Sequence, residues 1–312
     1  MVASLLFLIL LTVSAINPNF ATLQNFRDLL IQSAPAIIVS CGMTFVILTG
    51  EIDISVGSLL GLLGAIMGIL SSPQHQGLPV PLVIAATLLA GSAIGLLNGL
   101  LITVGRVPSI IATLGMLTIL RGITDFAMAG AWITDLPLNL RTLGTGTLLG
   151  LPISLCVAAT VVLASLFLSH RTRLGLRIYA VGGNPTAAAN ARVSSTRIKL
   201  ITFTLLGFLT AVAALVMIPQ QFVIESGIGA GFELVVITAV VVGGTSTRGG
   251  TGTIFGTILA ALLLGSIRTT LLFLNLGDMA TYWERAIQGA FILIAVLAEH
   301  ASRNRARAGA PA

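Results

Sequence analysis

Charged and aromatic residues are scarce in this sequence. Of its 312 residues, 8% are charged and 5% are aromatic, whereas 56% are hydrophobic. The mean hydropathy of +1.05 lies far outside the range of soluble domains, because so few polar residues cannot cover a water-facing surface. These scarcities exclude an ordinary soluble enzyme or binding domain and indicate a membrane protein.

The chain also lacks the residue patterns of several common sites. Its two cysteines, Cys41 and Cys156, fall inside apolar runs, so there is neither a disulfide framework nor a metal-binding spacing. The single lysine, Lys199, does not follow the glycine-rich loop of a P-loop nucleotide site, so any ATP must be hydrolysed by another subunit. The three histidines lie in separate predicted loops. We therefore expect no catalytic residue, no metal and no cofactor.

What the sequence has instead is a series of apolar runs. A bilayer core about 30 Å thick takes about 20 helical residues per span, so the chain has room for about eight to ten spans. The runs, each bounded by glycine, proline, asparagine or charge, lie near 2–16, 31–48, 58–70, 82–104, 108–128, 151–169, 200–218, 232–243, 252–272 and 286–299. The predicted fold is an all-α membrane protein of about ten transmembrane helices, forming a single domain over 1–312.

Two of these runs are too short for a full span. The runs 58–70 and 232–243 must borrow neighbouring polar or glycine residues, or form broken helices that other parts of the protein shield from lipid. A glycine pattern also occurs twice, in Gly57–Gly61 and Gly252–Gly256. This spacing of small residues permits close helix contact and hints at duplicated halves.

The basic residues indicate the orientation of the chain in the membrane. Ten spans place both termini and the loops near 49–57, 105–107, 170–199 and 244–251 on one side, and this side holds most of the arginines. By the positive-inside rule that side is cytoplasmic, and so are both termini. The net charge of +6 therefore reports topology and does not indicate a nucleic-acid partner.

Two carboxylates interrupt the apolar sequence after the second run. Glu51 and Asp53 lie two residues apart, and Ser55 follows them. Ionised groups at membrane depth are costly and commonly line a pathway or meet a partner charge, so these residues are candidates for an inner gate. The alternative is a cytoplasmic turn in which Asp53 or Ser55 caps the next helix. We also weigh an ion pair between Asp53 and Arg106 or Arg248.

Two further polar residues interrupt apolar runs. Asn98 and Thr113 are candidates to line a pathway for a neutral solute. Hydrogen bonding between helices explains the same residues, and it is the interpretation that we prefer.

The segment 170–199 is the only sizeable polar stretch. Asn184 is suited to cap a helix and Pro185 to occupy its first position. The residues that follow, including Ala187 and Ala188, predict a short helix with almost no side-chain bulk. Such a helix can seat in a groove of another protein, and we expect Ala188 to present its methyl group there.

Arginines flank this short helix. Arg192 and Arg197 can pair with acidic groups of a partner protein. The same arginines can instead meet the phosphates of membrane lipid, and the sequence favours neither partner over the other.

The motifs resemble those of permease subunits of bacterial ABC importers for monosaccharides, the group that imports ribose, xylose, arabinose, galactose, rhamnose and autoinducer-2. The resemblance covers about residues 17–297 in family order. It is carried by Ile52–Ser58, Gly182–Ala188, Val242–Gly252, Pro108–Gly115 and Arg121–Gly122.

The resemblance implies a ten-span inner-membrane permease with the fold of type II ABC importers. It would work as a pair, as a homodimer or with a related permease, together with two ATPase subunits and a periplasmic sugar-binding protein. The segment 182–199 then corresponds to the element that couples to the ATPase. Glu51 and Arg192 stand where the family often has glycine. The outer loop 130–137 is most similar to the rhamnose and autoinducer-2 branch.

Two other function classes remain as alternatives. An ion-coupled secondary transporter or channel needs ionisable or carbonyl sites near the midplane. Apart from the two carboxylates already described, only Arg121, Glu233 and Arg268 lie within apolar runs deep enough for this role. A membrane enzyme using Glu51 and Asp53 as acid and base ranks last, because the sequence offers it no nucleophile.

Overall fold

The computed structural model describes residues 2–274 and, beyond them, residues 279, 282–284, 286–291, 293, 294 and 297. Five residues of the tenth apolar run (292, 295, 296, 298 and 299) and the basic C-terminal residues therefore lie outside the described part of the chain. Within that part the helices are α1 Val2–Ile16, α2 Leu23–Leu48, α3 Val56–Ser71, α4 Val80–Thr103, α5 Ser109–Met128, α6 Leu138–Thr145, α7 Ile153–Arg171, α8 Arg173–Gly183, α9 Pro185–Asn190, α10 Ser195–Met217, α11 Phe232–Val242 and α12 Ile254–Phe273.

The described residues include one small departure from an all-helical fold. The strands β1 Thr147–Leu148 and β2 Leu151–Pro152 pair antiparallel, with Leu148 opposite Leu151. Leu149 and Gly150 both have positive φ, as a two-residue hairpin turn of this hand requires. The hairpin joins α6 to α7 and leaves the helical architecture unchanged.

Six helices of the described chain are long and apolar enough to cross a bilayer: α2, α4, α5, α7, α10 and α12, where the α10 span continues to Gln220. Three shorter apolar helices, α1, α3 and α11, account for three further predicted runs. The protein is thus a mostly helical, multi-pass membrane protein. The predicted count of about ten spans is not confirmed, because length and composition alone qualify only six.

The two short runs form short helices: α3 extends beyond its run by borrowing neighbouring residues and is mostly buried, whereas α11 buries only Val236, Thr238, Ala239 and Val240. In α3, 13 of the 16 residues are buried, and its neighbours are α4, α5 and α10. The 11 residues of α11 cover about 16 Å at about 1.5 Å per residue. That length is about half of a bilayer core. Neither helix needs to span lipid alone, because each packs against longer ones.

The helix α2 lies at the centre of the bundle. Every residue from Ser33 to Leu48 is buried, and α7, α10, α11 and α12 pack around it. Outward-facing apolar side chains such as Leu89 and Phe126, which are 71% and 88% exposed, lie on α4 and α5. A band of exposed apolar residues of this kind is expected where helices face lipid.

Glycines bring α4 and α10 into backbone contact. A Cβ at Gly95 would lie 2.4 Å from the carbonyl oxygen of Phe203, and one at Gly207 would lie 2.2 Å from that of Gly91. Only hydrogen fits at these positions. Small residues allow such approach where lipid provides no hydrophobic drive for association.

The repeated glycine pattern marks two further close approaches. A Cβ at Gly57 would lie 2.5 Å from the carbonyl oxygen of Gly229, just before α11, and one at Gly256 would lie 2.1 Å from that of Gly243, just after α11. Both copies of the pattern therefore permit the close packing that their spacing predicts. The duplication of the two halves stays a prediction.

Candidate transport and coupling site

A non-helical connection of seven residues, 49–55, joins α2 to α3, and Asp53 lies at its centre. The Asp53 side chain is 3% exposed. Its Oδ1 accepts hydrogen bonds from the backbone N of Ser55 at 2.8 Å and from the Ser55 hydroxyl at 2.6 Å. Its Oδ2 accepts one from Asn98 Nδ2 at 3.0 Å. Asp53 therefore ties the connection to α4.

The first turns of α5 satisfy other donors of the connection. Thr113 Oγ1 accepts a hydrogen bond from the backbone N of Ile54 at 3.1 Å and donates one to the Ser109 carbonyl at 2.8 Å. Ser109 Oγ accepts one from the backbone N of Ile52 at 3.4 Å. Non-helical backbone inside a membrane protein requires partners of this kind. We refer to Asp53, Ser55, Asn98, Ser109 and Thr113 as the connection cluster.

This geometry revises the expectations for Asp53 and Ser55. Ser55 occupies the N-cap position of α3 but makes no side-chain capping bond. Asp53 forms no ion pair with Arg106 or Arg248, since the described residues contain a single ion pair and it lies elsewhere. Asp53 bonds the residue at the cap, two positions along the chain, and thereby stabilises the turn before the helix.

Asn98 and Thr113 are both fully buried. In this conformation both residues hydrogen-bond to the non-helical connection 49–55, and not between two helices as the preferred interpretation of the sequence expects. A direct role in lining a pathway stays a prediction.

Glu51 forms the single ion pair found among the described residues. Its Oε1 lies 2.5 Å from Nζ of Lys199, and the two side chains are 15% and 25% exposed. Lys199 is in the second turn of α10, so the pair joins the connection 49–55 to the end of the polar segment. The pairing of Glu51 with Lys199 was not predicted from the sequence. The one available signal was that Lys199 is the only lysine of a chain that otherwise uses arginine at its Lys/Arg positions.

The polar segment 170–199 is mostly helical and not an extended loop. The helix α7 continues to Arg171, and α8 and α9 follow before α10 begins at Ser195. The predicted helix entry is confirmed: Asn184 Oδ1 accepts a hydrogen bond from the backbone N of Ala187 at 2.9 Å, and Pro185 occupies the first turn.

The expected orientation of Ala188 is wrong. Its side chain is 4% exposed and belongs to a buried cluster that includes Leu48, Ile178 and Ile198. The methyl group therefore faces the protein's own core and cannot enter a partner's groove. The exposed residues of this region include Pro185, Ala187, Arg192 and Arg197.

Arg192 ends α9 in a left-handed conformation. Its φ is +59°, and the following residue, Val193, donates its backbone N–H to the carbonyl of Ala188 at 2.9 Å. This is the position after a helix at which glycine is favoured, because a side chain there meets steric resistance. The geometry explains why glycine suits this place.

Replacing Arg192 with glycine is therefore expected to stabilise the end of α9. The substitution Arg192→Gly removes the strain of a left-handed non-glycine residue, which costs about 1–2 kcal/mol. Hydrogen exchange of the Val193 amide is the measurement, with Arg197→Gly as control. Arg197 lies inside α10, so its replacement is expected to destabilise. Faster exchange of Val193 in Arg192→Gly would contradict the prediction.

Three sequence motifs that are far apart in the chain meet at one point. The backbone N of Gly250 donates to the carbonyl of Leu48 at 2.9 Å. A Cβ at Gly182 would lie 1.7 Å from that same carbonyl oxygen and 2.5 Å from the Gly250 nitrogen. We call Leu48, Gly50, Gly182, Gly249 and Gly250 the glycine junction. It joins α8 directly to the loops that follow α2 and α11.

A tyrosine reinforces this junction. Tyr179 on α8 donates its hydroxyl to the carbonyl of Gly252 at 2.9 Å and lies 3.0 Å from the Ser169 hydroxyl on α7. The polar segment is thus fastened to the loop before α12 by side-chain as well as backbone contacts.

Comparison with known proteins gives consistent matches over nearly the whole chain. Residues 25–296 match the family described as branched-chain amino acid transport system / permease component. The ribose import permease protein RbsC of Haemophilus influenzae is 38% identical over 299 residues, covering 95% of this chain and 91% of the relative. The L-arabinose ABC transporter permease protein AraH of Azospirillum brasilense is 34% identical, covering 97% and 88%.

The autoinducer 2 import system permease protein LsrC of Yersinia enterocolitica is 35% identical over 279 residues, covering 89% of this chain and 76% of the relative. These similar identities do not single out the autoinducer-2 branch to which the outer loop 130–137 pointed. No solved structure matches the chain. The family match, the apolar helices and the identities of these relatives show that the chain belongs to the multi-pass inner-membrane permease subunits of ABC importers.

Proposed function

We propose that this permease forms half of a translocation pathway for a monosaccharide or a similar hydroxylated solute. The relatives named above import ribose, L-arabinose and autoinducer 2. The proposal places the chain, as a single domain over 1–312, in a pair with a second permease. Two ATPase subunits lie on its cytoplasmic side and a sugar-binding protein on its periplasmic side.

The observation that carries the proposal is the contact between the polar segment and the connection 49–55. The exposed surface of α8 and α9, with Arg177 and Arg192, is suited to an ATPase subunit that presents acidic groups. Lipid phosphate can compete with the ATPase for the arginines of this surface. Because Ala188 anchors α9 in the core, displacement of α9 by the ATPase would move the glycine junction as well.

The connection 49–55 is the proposed inner gate. In this conformation the Glu51–Lys199 pair and the connection cluster hold it against α4, α5 and α10. ATP binding by the ATPase subunits would favour one arrangement of the glycine junction, and hydrolysis would favour the other. The gate would then have two positions, and the nucleotide state of the ATPase would decide which of them is populated.

Breaking the Glu51–Lys199 pair is expected to reduce uptake several-fold. Partly exposed ion pairs contribute about 0–1 kcal/mol to stability, so Glu51→Gln and Lys199→Gln should both insert normally. The double change Glu51→Lys with Lys199→Glu should restore part of the uptake, because it re-forms the pair. Asp28→Asn, which alters a carboxylate bonded to Gln24 outside the proposed gate, is the control. Full uptake by both single variants would contradict the role.

Reconstitution tests the function itself. The purified permease, with the ATPase and binding protein encoded by neighbouring genes, is expected to import D-ribose or L-arabinose into vesicles only when ATP is supplied. Uptake driven by an ion gradient in vesicles that contain the permease alone would instead establish the secondary-transporter alternative.

Cysteine labelling tests the orientation. In a background lacking Cys41 and Cys156, cysteines at Gly77 and Thr147 are expected to react with an impermeant reagent added outside, and one at Ser195 is not. The reason is that Ser195 begins α10 beside α9, on the side that the arginines assign to the cytoplasm. Labelling of Ser195→Cys from outside would reverse the orientation and with it the coupling role of α9.

A further inference from the structure

A cavity of about 610 Å³ lies at the end of the bundle away from α9. The helix α10 begins beside α9 at Ser195 and ends at Met217, which lines the cavity. Its other walls come from the start of α11, from α12 and from the described residues 284 and 288–289. Ligand sites commonly have volumes of about 300–1,000 Å³. The cavity is therefore large enough for one monosaccharide and its water.

One wall of this cavity is the non-helical backbone of residues 229–231. The C-terminal end of α11 meets the first turn of α12 through Gly243 and Gly256. The segment 221–231 that precedes α11 is non-helical, and its residues 229–231 line the cavity. Irregular backbone in a membrane protein is tolerated when protein shields it or when it lines a water-filled space. Residues 229–231 line such a space, and other residues of the segment contact neighbouring elements.

The shielded side of the segment is held firmly. Arg121 Nη1 donates to the carbonyls of Ser226 and Ile228. Ile133 and Ile224 exchange two backbone hydrogen bonds of 3.0 and 2.9 Å. Such contacts preform the wall, so binding a ligand against it requires little ordering of the backbone.

The polar groups of the cavity form a complementary set. Arg268 can only donate hydrogen bonds, Glu284 as a carboxylate can only accept them, and Gln288 does both. Gln288 Nε2 lies 3.3 Å from Glu284 Oε1. Met217 and Phe232 supply apolar surface to the same cavity. Among the lining residues that the structure describes, one positive and one negative side chain balance each other, which favours a neutral ligand whose hydroxyl groups both donate and accept.

We propose that this cavity is a binding site in the permease itself for a neutral, polyhydroxylated solute of monosaccharide size. The proposal rests on the sugar-import function and deepens it, because it gives the permease a specificity site of its own. Short, interrupted helices mark solute sites in other membrane transporters for the same physical reason: their ends expose polar backbone.

The first test compares transport kinetics of the reconstituted importer. Arg268→Gln and Glu284→Gln are expected to raise the KM for D-ribose uptake about tenfold or more, since each removes a charge-assisted hydrogen bond. Arg27→Gln and Asp28→Asn make the same charge changes on α2, outside the cavity, and should leave KM unchanged. An unchanged KM in both cavity variants would overturn the proposal.

The second test measures occupancy in the full-length permease alone, in phospholipid vesicles. Ala230→Cys, in a background with Cys156→Ser, places a thiol on the cavity wall, while the buried Cys41 is inaccessible. D-Ribose or L-arabinose should slow its labelling by an impermeant maleimide, and Thr147→Cys should label at an unchanged rate.

Several outcomes of the labelling test would overturn the proposal. Protection by L-leucine but by neither sugar would assign the cavity to a zwitterion. The cysteine at position 230 could also label slowly with or without sugar and become reactive only when phospholipid is exchanged for detergent. That result would assign the cavity to a lipid headgroup. No protection by any solute would mean an unoccupied cavity. This test needs no ATPase, so failure of sugar import with intact protection would refute the proposed function alone.

Discussion

Substitution of Gly182 by alanine is expected to abolish ATP-dependent uptake. The added Cβ would lie 1.7 Å from the Leu48 carbonyl oxygen and 2.5 Å from the Gly250 nitrogen. Both are backbone atoms, so no side chain can rotate away, and α8 must separate from the glycine junction. Overpacking of this kind costs about 1–3 kcal/mol. The measurements are uptake by reconstituted vesicles and thermal denaturation of the purified permease.

The adjacent glycine provides a matched control. A Cβ at Gly183 would find its nearest neighbour, the Cα of Gly250, at 3.9 Å, which is an ordinary contact. Gly183→Ala adds the same methyl group to the same turn of α8 and should transport normally. Equal uptake by the Gly182 and Gly183 variants would contradict the idea that the junction transmits the movement of α9.

The second large effect is expected at Asp53. Asp53→Ala leaves the backbone N–H of Ser55 and one N–H of the Asn98 amide without their acceptor in a buried site, while the other N–H of Asn98 keeps its bond to the Ser55 hydroxyl. Each unsatisfied donor costs about 1–3 kcal/mol, so the loss of stability should reach about 2–6 kcal/mol. Uptake should be lost, and the amount of folded permease should fall as well. Denaturation of the purified protein measures the first quantity, and uptake per folded permease the second.

The substitution Asp53→Asn distinguishes a gating role of Asp53 from a purely structural role. One amide oxygen can still accept from Ser55, whereas the new NH2 group opposes the NH2 group of Asn98 and weakens the link to α4. The expected cost in stability is about 1–2 kcal/mol, with near-normal insertion but with uptake lost. Near-normal uptake by Asp53→Asn combined with Glu51→Gln would eliminate the gate and leave only the structural role.

Local sequence determined the class of the protein and the positions of most helices. Nine of the predicted apolar runs coincide with helices of the described chain, because hydrophobic length and glycine or proline boundaries act over neighbouring residues. The entry of α9 is predictable for the same reason, since Asn184 caps a donor only three residues away. The short runs at α3 and α11 could also be predicted as incomplete spans, because each run is too short to cross the bilayer core as a helix.

Only the tertiary structure decided which distant residues meet. The sequence of α9 contains three consecutive alanines, and it gives no sign of which methyl group faces inward. The burial of Ala188 therefore depends on how α9 packs on α8 and α10. The Glu51–Lys199 pair, the glycine junction and the cavity beside Phe232 each join segments separated by long stretches of chain. Periodicity and capping constrain a segment against its own neighbours in sequence. Contacts between segments are set by how whole helices pack, which depends on all of their surfaces at once.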